Sequence, residues 1–171
     1  MQPQTTRQLQ LNGYFPGAIG KITELHAVYY HEHWGFDITF ETQVGRELSL
    51  FLTDFVPDRD GFWTAFCQGS FAGSIAIDGS LGSTEGARLR WFIIEPEFQG
   101  RGIGRELIGA AIQFCRNAGY EKVFLWTFRG LEAARKLYEE AGFRLTEESE
   151  VDQWGSHITE QKFELNFRDK L

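Results

Sequence analysis

Between residues 87 and 104 the chain changes character twice. An apolar segment, Ala87–Ile94, ends at Glu95-Pro96, and a basic, glycine-rich stretch follows, Gln99-Gly100-Arg101-Gly102-Ile103-Gly104. Beyond it, Ile103, Leu107, Ile108, Ala111, Ile112 and Cys115 recur at the spacing of one helix face. The order is strand, bare turn, helix start. Three glycines remove the side chains that would keep an anion from the backbone amides. The first helical turn then offers unpaired N–H groups and the positive end of its dipole. This turn is expected to hold a phosphate, although a phosphate site alone names no reaction.

The rest of the pattern sets the fold class. Residues 1–16 are polar, contain a Gly13-Tyr14-Phe15-Pro16 turn and are assigned little structure. Ile22, Leu25, His26, Tyr29 and His33 predict a helix from Gly17 to Trp34. After Gly35 a second helix carries the stripe Phe40, Val44, Leu48, Phe51, Leu52 and Phe55, with Asp37 or Thr39 as its cap. Phe62–Gln68 and Phe71–Asp78 read as a hairpin around Gly69. Ala87–Ile94 is the central strand and Arg101–Ala118 the helix after the turn. Lys122–Phe128 is another strand, and Leu131–Ala141 a shorter helix closed by Gly142. Phe143–Val151 and Ile158–Phe167 make a final antiparallel pair. This is mixed α+β with one locally parallel strand pair, and residues 1–171 are read as a single domain.

The longest apolar runs are far too short to cross a bilayer, and the polar N-terminus lacks the apolar stretch of a signal peptide. A cytoplasmic protein with no membrane partner is expected. The net charge of −7, with no dense Lys/Arg block, argues against nucleic acid as a partner. Cys67 and Cys115 fall in a predicted strand and a predicted helix and are read as buried thiols. His31 and His33 diverge on a helix and are not a metal pair.

Gln99-x-x-Gly102-x-Gly104 resembles the Q/R-x-x-G-x-G/A signature of the GNAT N-acetyltransferases. Leu137-Tyr138-Glu139-Glu140-Ala141-Gly142-Phe143 resembles the same family's L-Y-x-x-x-G-F segment. Further likeness lies in Tyr29-Tyr30…Trp34-Gly35-Phe36, Ala87-Arg88-Leu89-Arg90, Leu125-Trp126-Thr127 and Trp154-Gly155 followed by Glu160-Gln161. The resemblance is closest to the acetyltransferase domain that often follows a MarR-type winged helix, and it covers most of residues 20–167. It implies a GNAT-type fold: a central mixed, mostly antiparallel sheet flanked by helices, its parallel pair splayed around the cofactor site. It also implies acetyl-CoA as co-substrate, with no metal. The backbone of Phe92, Ile93 and Ile94 would pair with the pantetheine arm. Gln99, Gly100, Arg101, Gly102, Ile103, Gly104 and Arg105 would surround the pyrophosphate. Tyr138 would be the general acid that protonates the coenzyme A thiolate; a phenol suits that role because it stays protonated at neutral pH.

Two positions depart from the family pattern. Leu131 stands where many members carry an asparagine. Arg88 stands where histone-type members place a glutamate base, which disfavours lysine acetylation of that type.

Arg88 and Arg90 alternate with Phe92 and Ile94, so strand parity puts all four on one face. Two arginines on a central strand need partners. Either they pair with acids such as Glu41 or Glu47, or a guanidinium receives a substrate carboxylate. Tyr29, His33 and Trp34 lie where members of this kind form the acceptor side. On the last strand, Phe163, Leu165 and Phe167 mark the core face, which puts Gln161 inward as a residue that could orient a substrate and Glu160 outward. The general base is left open among His26, His33 and ordered water. The function expected is acetyl transfer to a small-molecule amine, possibly amino-acid-like. The alternatives are a protein or peptide N-acetyltransferase and a non-catalytic CoA-binding module; the oligomeric state is left open, a homodimer being compatible with the family resemblance.

Overall fold

Gly35, left-handed at φ 70°, ends helix α1 (Ala18–Trp34), and its N–H donates back to the carbonyls of His31 and Tyr30. Asp37 then starts α2 (Ile38–Thr53): its side chain accepts the Thr39 N–H at 3.0 Å. In the computed structural model, which describes residues 8–168, these two helices cover one face of a seven-stranded sheet.

The strands are β1 (Leu9–Asn12), β2 (Gly61–Cys67), β3 (Ser70–Asp78), β4 (Ala87–Ile94), β5 (Lys122–Phe128), β6 (Arg144–Gln153) and β7 (Ser156–Asn166). Their order in the sheet is β1-β2-β3-β4-β5-β7-β6. Every neighbouring pair is antiparallel except β4 and β5. That is the expected GNAT architecture. One element differs from the sequence reading: residues 9–12 form a real edge strand, paired with β2 from Leu9↔Cys67 to Asn12↔Thr64. It is short and mostly exposed, so it carries almost no apolar signature.

The other face of the sheet carries α3 (Ile103–Ala118) and α4 (Glu132–Glu140). Two cores result. Ala65, Ile75, Ile77, Leu89, Val123, Leu125, Phe163 and Leu165 meet α3 and α4 on one side. Phe62, Ala76, Trp91, Phe128 and Ile158 meet α1 and α2 on the other. The interior strands thus bury residues in two different layers, as they must when helices cover both faces.

Cys67 and Cys115 are buried and unpaired, and burial pushes the Cys115 thiol up to about 12. Among the described residues, no helix is long and apolar enough to cross a membrane.

Candidate active site

Strand β4 does not keep its parity. Trp91 sits at φ 47°, and between Arg90 and Ile93 β4 takes three steps while β3 takes two, from Ala76 to Ser74. This bulge is held by the Ser74 hydroxyl, which donates to the Trp91 carbonyl at 2.8 Å. Arg90 therefore faces α2, where it meets Glu47, while Phe92 and Ile94 pack with the α3 and α4 core. The expectation that Arg88, Arg90, Phe92 and Ile94 share one face is corrected: the extra residue turns the last two over.

The same region opens a gap. β4 and β5 are hydrogen-bonded only at Ala87↔Val123 and Arg88↔Phe124. Beyond Arg88 the edge of β4 that faces β5 has no strand partner among the described residues. A cavity of about 850 Å³ runs through this gap. Its walls include Phe98, Ile103 and Tyr138 from one core and Phe40, Val44, Trp91 and Phe128 from the other. It is therefore open to both layers.

At one end lies the glycine turn. A 3-10 turn, Pro96–Phe98, leads into Gly100 at φ 77° and Gly102 at φ 78°. Gly102 is the N-cap of α3, and no side chain caps that helix. Gly104 is required for a different reason. A Cβ there would meet Leu137 Cδ1 at 2.9 Å and Phe92 Cζ at 3.2 Å. Gln99 folds back, its Nε2 donating to the Ile94 carbonyl at 3.2 Å. Arg105 is exposed and paired with Glu140 at 2.9 Å. Arg101 stacks over Phe98 at 5.3 Å and, unlike Gln99, Gly100, Gly102 and Arg105, is not part of the cavity wall.

Tyr138 is buried on α4, with its ring 5.9 Å from Phe92, 6.0 Å from Phe143 and 6.2 Å from Phe163. Burial, and then the nearby Tyr30 phenol, hold its hydroxyl well above the ordinary phenol range. It is fully protonated at neutral pH. Tyr30 belongs to the other layer, and both phenols line the same cavity. Leu131, at the head of α4, offers no side-chain cap.

Beyond the gap lie the α1 and α2 residues. Tyr29, His33 and Trp34 line the cavity, with the Tyr29 and His33 rings 4.4 Å apart. Trp34 packs edge-on to Phe128 at 5.0 Å and over Gly130, and its buried Nε1 has no partner. His26 also lines this wall. Its Nδ1 lies 2.7 Å from the Ile22 carbonyl, which can only accept, so that nitrogen carries the proton. Burial lowers its pKa to about 4, outweighing the Ile22 hydrogen bond, and the ring is neutral.

The two arginines differ. Arg90 pairs with Glu47 at 2.5 Å and Asp78 at 3.6 Å and stacks on Trp91 at 4.2 Å. Arg88 lines the same cavity with its Nε buried and unpartnered. Gln161 is 2% exposed, shares the face of Phe163 and Leu165, and donates to Glu148 at 2.8 Å. It is not part of the cavity wall. Glu160, read as outward from the sequence, lines the cavity instead, because the face opposite the α3 and α4 core is a second interior layer. Tyr30, quoted in the sequence only as part of the Tyr29-Tyr30 motif, is a further wall residue beside the candidate base His26. Among the described residues, no three His, Cys, Asp or Glu side chains cluster as a metal site would.

A family model described as "Acetyltransferase (GNAT) family" matches residues 21–143. The chain is similar to an uncharacterized N-acetyltransferase of Methanocaldococcus jannaschii, 34% identical over 98 residues, which are 55% of this chain and 42% of that protein. It is also similar to N-acetylaspartate synthetase of Danio rerio, 35% identical over 94 residues, 55% of this chain and 33% of that one. The chain thus spans less than half the length of these relatives. In fold it resembles YncA of Salmonella typhimurium, assigned as an acetyltransferase and solved with its cofactor acetyl-CoA. That match has a TM-score of 0.69 at 16% identity and covers 95% of this chain and 96% of that one.

Proposed function

The chain belongs to the acetyltransferase (GNAT) family, and from that footing we propose that it transfers acetyl from acetyl-CoA to the amine of a small molecule. The observation that carries this reading is the cavity through the β4–β5 gap, which joins the glycine turn on one side of the sheet to the α1 and α2 wall on the other. A donor and an acceptor can enter from opposite layers and meet at the gap, so transfer is direct and needs no covalent enzyme intermediate.

The residues fit the donor. The free edge of β4 at Phe92, Ile93 and Ile94 can take a pantetheine amide as an added strand would. The amides from Gly100 to Gly104 can cradle a pyrophosphate at the head of α3, with Arg101 and Arg105 adding charge nearby. Gln99 holds the turn on Ile94. On the acceptor side, Tyr29, His33 and Trp34 form an aromatic wall suited to a compact molecule.

In the reaction the amine nitrogen bonds to the thioester carbonyl carbon and the carbon–sulfur bond breaks. Tyr138 gives its phenolic proton to the departing sulfur and recovers one from solvent, while the proton shed by the amine passes to water in the cavity. The products are an N-acetyl amide and free coenzyme A. The finer likeness to acetyltransferase domains that follow MarR-type winged helices belongs to the same reading, as does a cytoplasmic location.

The test is equilibrium binding of acetyl-CoA, followed by thiol release on adding amino acids, polyamines, aminoglycosides or short peptides. Release with one small-molecule class supports the proposal. Release with peptides alone would make this a peptide N-acetyltransferase, and tight binding with no release at all would make it a CoA-binding module.

A further inference from the structure

Arg88 and Arg90 project from the same face of β4, and their surroundings differ sharply. Arg90 is neutralised by Glu47 and Asp78 and covered by Trp91. Arg88 is half-buried, makes no ion pair among the described residues, and keeps a buried Nε with no acceptor. Glu47 and Asp78, two of the acids that act on it, are already engaged by Arg90. A guanidinium withdrawn from water in this way is costly unless an anion reaches it. Its position supplies the opening for one. Arg88 is the last β4 residue hydrogen-bonded to β5, at the floor of the gap and within the cavity wall.

Glu160 of β7 lies on the same sheet face, opposite Phe128, four residues along β5 from Phe124, the partner of Arg88. This carboxylate also lines the cavity, acts electrostatically on Arg88, and makes no side-chain hydrogen bond to another described residue. One unpaired cation and one acid without a hydrogen-bonded partner therefore border the same space.

We propose that Arg88 receives the carboxylate of the acceptor and Glu160 its ammonium group, so that the substrate class is an amino acid or similar amine bearing a carboxylate close to the amine. The inference rests on the transfer reading above and names its acceptor. The two terminal nitrogens of Arg88, which make no hydrogen bond to another described residue, form a planar fork that a carboxylate accepts bidentately. A ligand so held gives up its ammonium proton to water in the cavity before attack, and its free amine then lies toward the gap, with Tyr138 on the far side. Lysine cannot present that fork, and neither arginine alone nor the acid alone would select a zwitterion.

The experiment compares amino acids with their carboxamides as acceptors in acetyl-CoA thiol release, reading the ratio of kcat/KM between acid and amide. The wild type is expected to prefer the acid by roughly 10- to 100-fold, the worth of a hydrogen-bonded charge pair. Arg88→Met should bring that ratio to about 1. Glu160→Gln should lower kcat/KM for acid and amide together and leave the ratio high. Acetyl-CoA affinity, measured on the same preparations, reports whether each variant is folded; should Arg88→Met fail to fold, Arg88→Lys, which keeps the charge without the fork, should show an intermediate ratio. A wild-type ratio near 1, or a ratio untouched by the Arg88 substitutions, would overturn the inference while leaving acetyl transfer standing. Thiol release with polyamines or aminoglycosides but with neither acid nor amide would also overturn the inference alone, whereas acetyl-CoA binding with no release to any amine would overturn the transfer reading and this inference with it.

Discussion

Arg90 and Phe92 lie two residues apart on β4 yet point to opposite faces of the sheet, because Trp91 between them is left-handed at φ 47°. That single reversal organises the site. Below it, β4 presents arginines to the α1 and α2 layer. Above it, the strand presents Phe92 to Gly104 and Tyr138, and its other edge parts from β5. The gap between the two strands is what lets one cavity reach both layers.

Trp91 supports this bulge with its ring, which packs on Phe51 at 5.3 Å and under Arg90 at 4.2 Å. Trp91→Ala should cost about 3–5 kcal/mol in urea unfolding. Trp91→Gly should be no worse, and better by up to about 1 kcal/mol, because glycine accepts the positive φ that alanine resists. In an ordinary strand the order is reversed, so an alanine variant clearly more stable than the glycine variant would contradict the bulge.

Gly102 and Gly104 should fail in different ways. Alanine at Gly102 has to adopt φ 78°, at about 1–2 kcal/mol, and its methyl group sits at the head of α3. Alanine at Gly104 collides with Leu137 and Phe92, at about 1–3 kcal/mol, and pushes α4 away from β4. Both should weaken acetyl-CoA binding by calorimetry. Gly104→Ala should also lower turnover, since Leu137 is the neighbour of Tyr138.

His26 links stability to pH. Folding lowers its pKa from 6.5 to about 4, so between those values the unfolded chain binds the extra proton. Its contribution is fully present above pH 6.5 and is lost as the pH falls toward 4, by up to about 3 kcal/mol. His26→Gln should flatten this part of the curve of unfolding free energy against pH. An unchanged slope between pH 4 and 6.5 would show that other groups carry it.

Much of this arrangement is legible in the chain. Ala87–Ile94 and Lys122–Phe128 coincide with the observed β4 and β5, since short apolar runs bounded by Gly86, Pro96 and Gly119 leave little freedom in placing their ends. The glycine turn was visible because glycine and proline act locally. What was hidden depends on contacts far along the chain. Nothing in the residue Trp91 announces a positive φ, and the parity rule fails silently at a bulge. Strand β1 escaped because Leu-Gln-Leu-Asn at a sheet edge buries too little to be patterned. Glu160 was misassigned on the assumption that a residue opposite the core meets solvent; in a sheet covered on both faces it meets a second layer.

Tyr138 acts at the gap in this mechanism, and the Tyr138→Phe enzyme isolates its part. The substitution removes only an oxygen, and no protein hydrogen bond to that oxygen is seen among the described residues, so fold and acetyl-CoA affinity should hold. With the acceptor that supports turnover in the wild type, kcat for thiol release should fall by roughly 100-fold or more, the usual worth of a positioned general acid. A Tyr138→Phe enzyme that turns over at the wild-type rate would contradict the account.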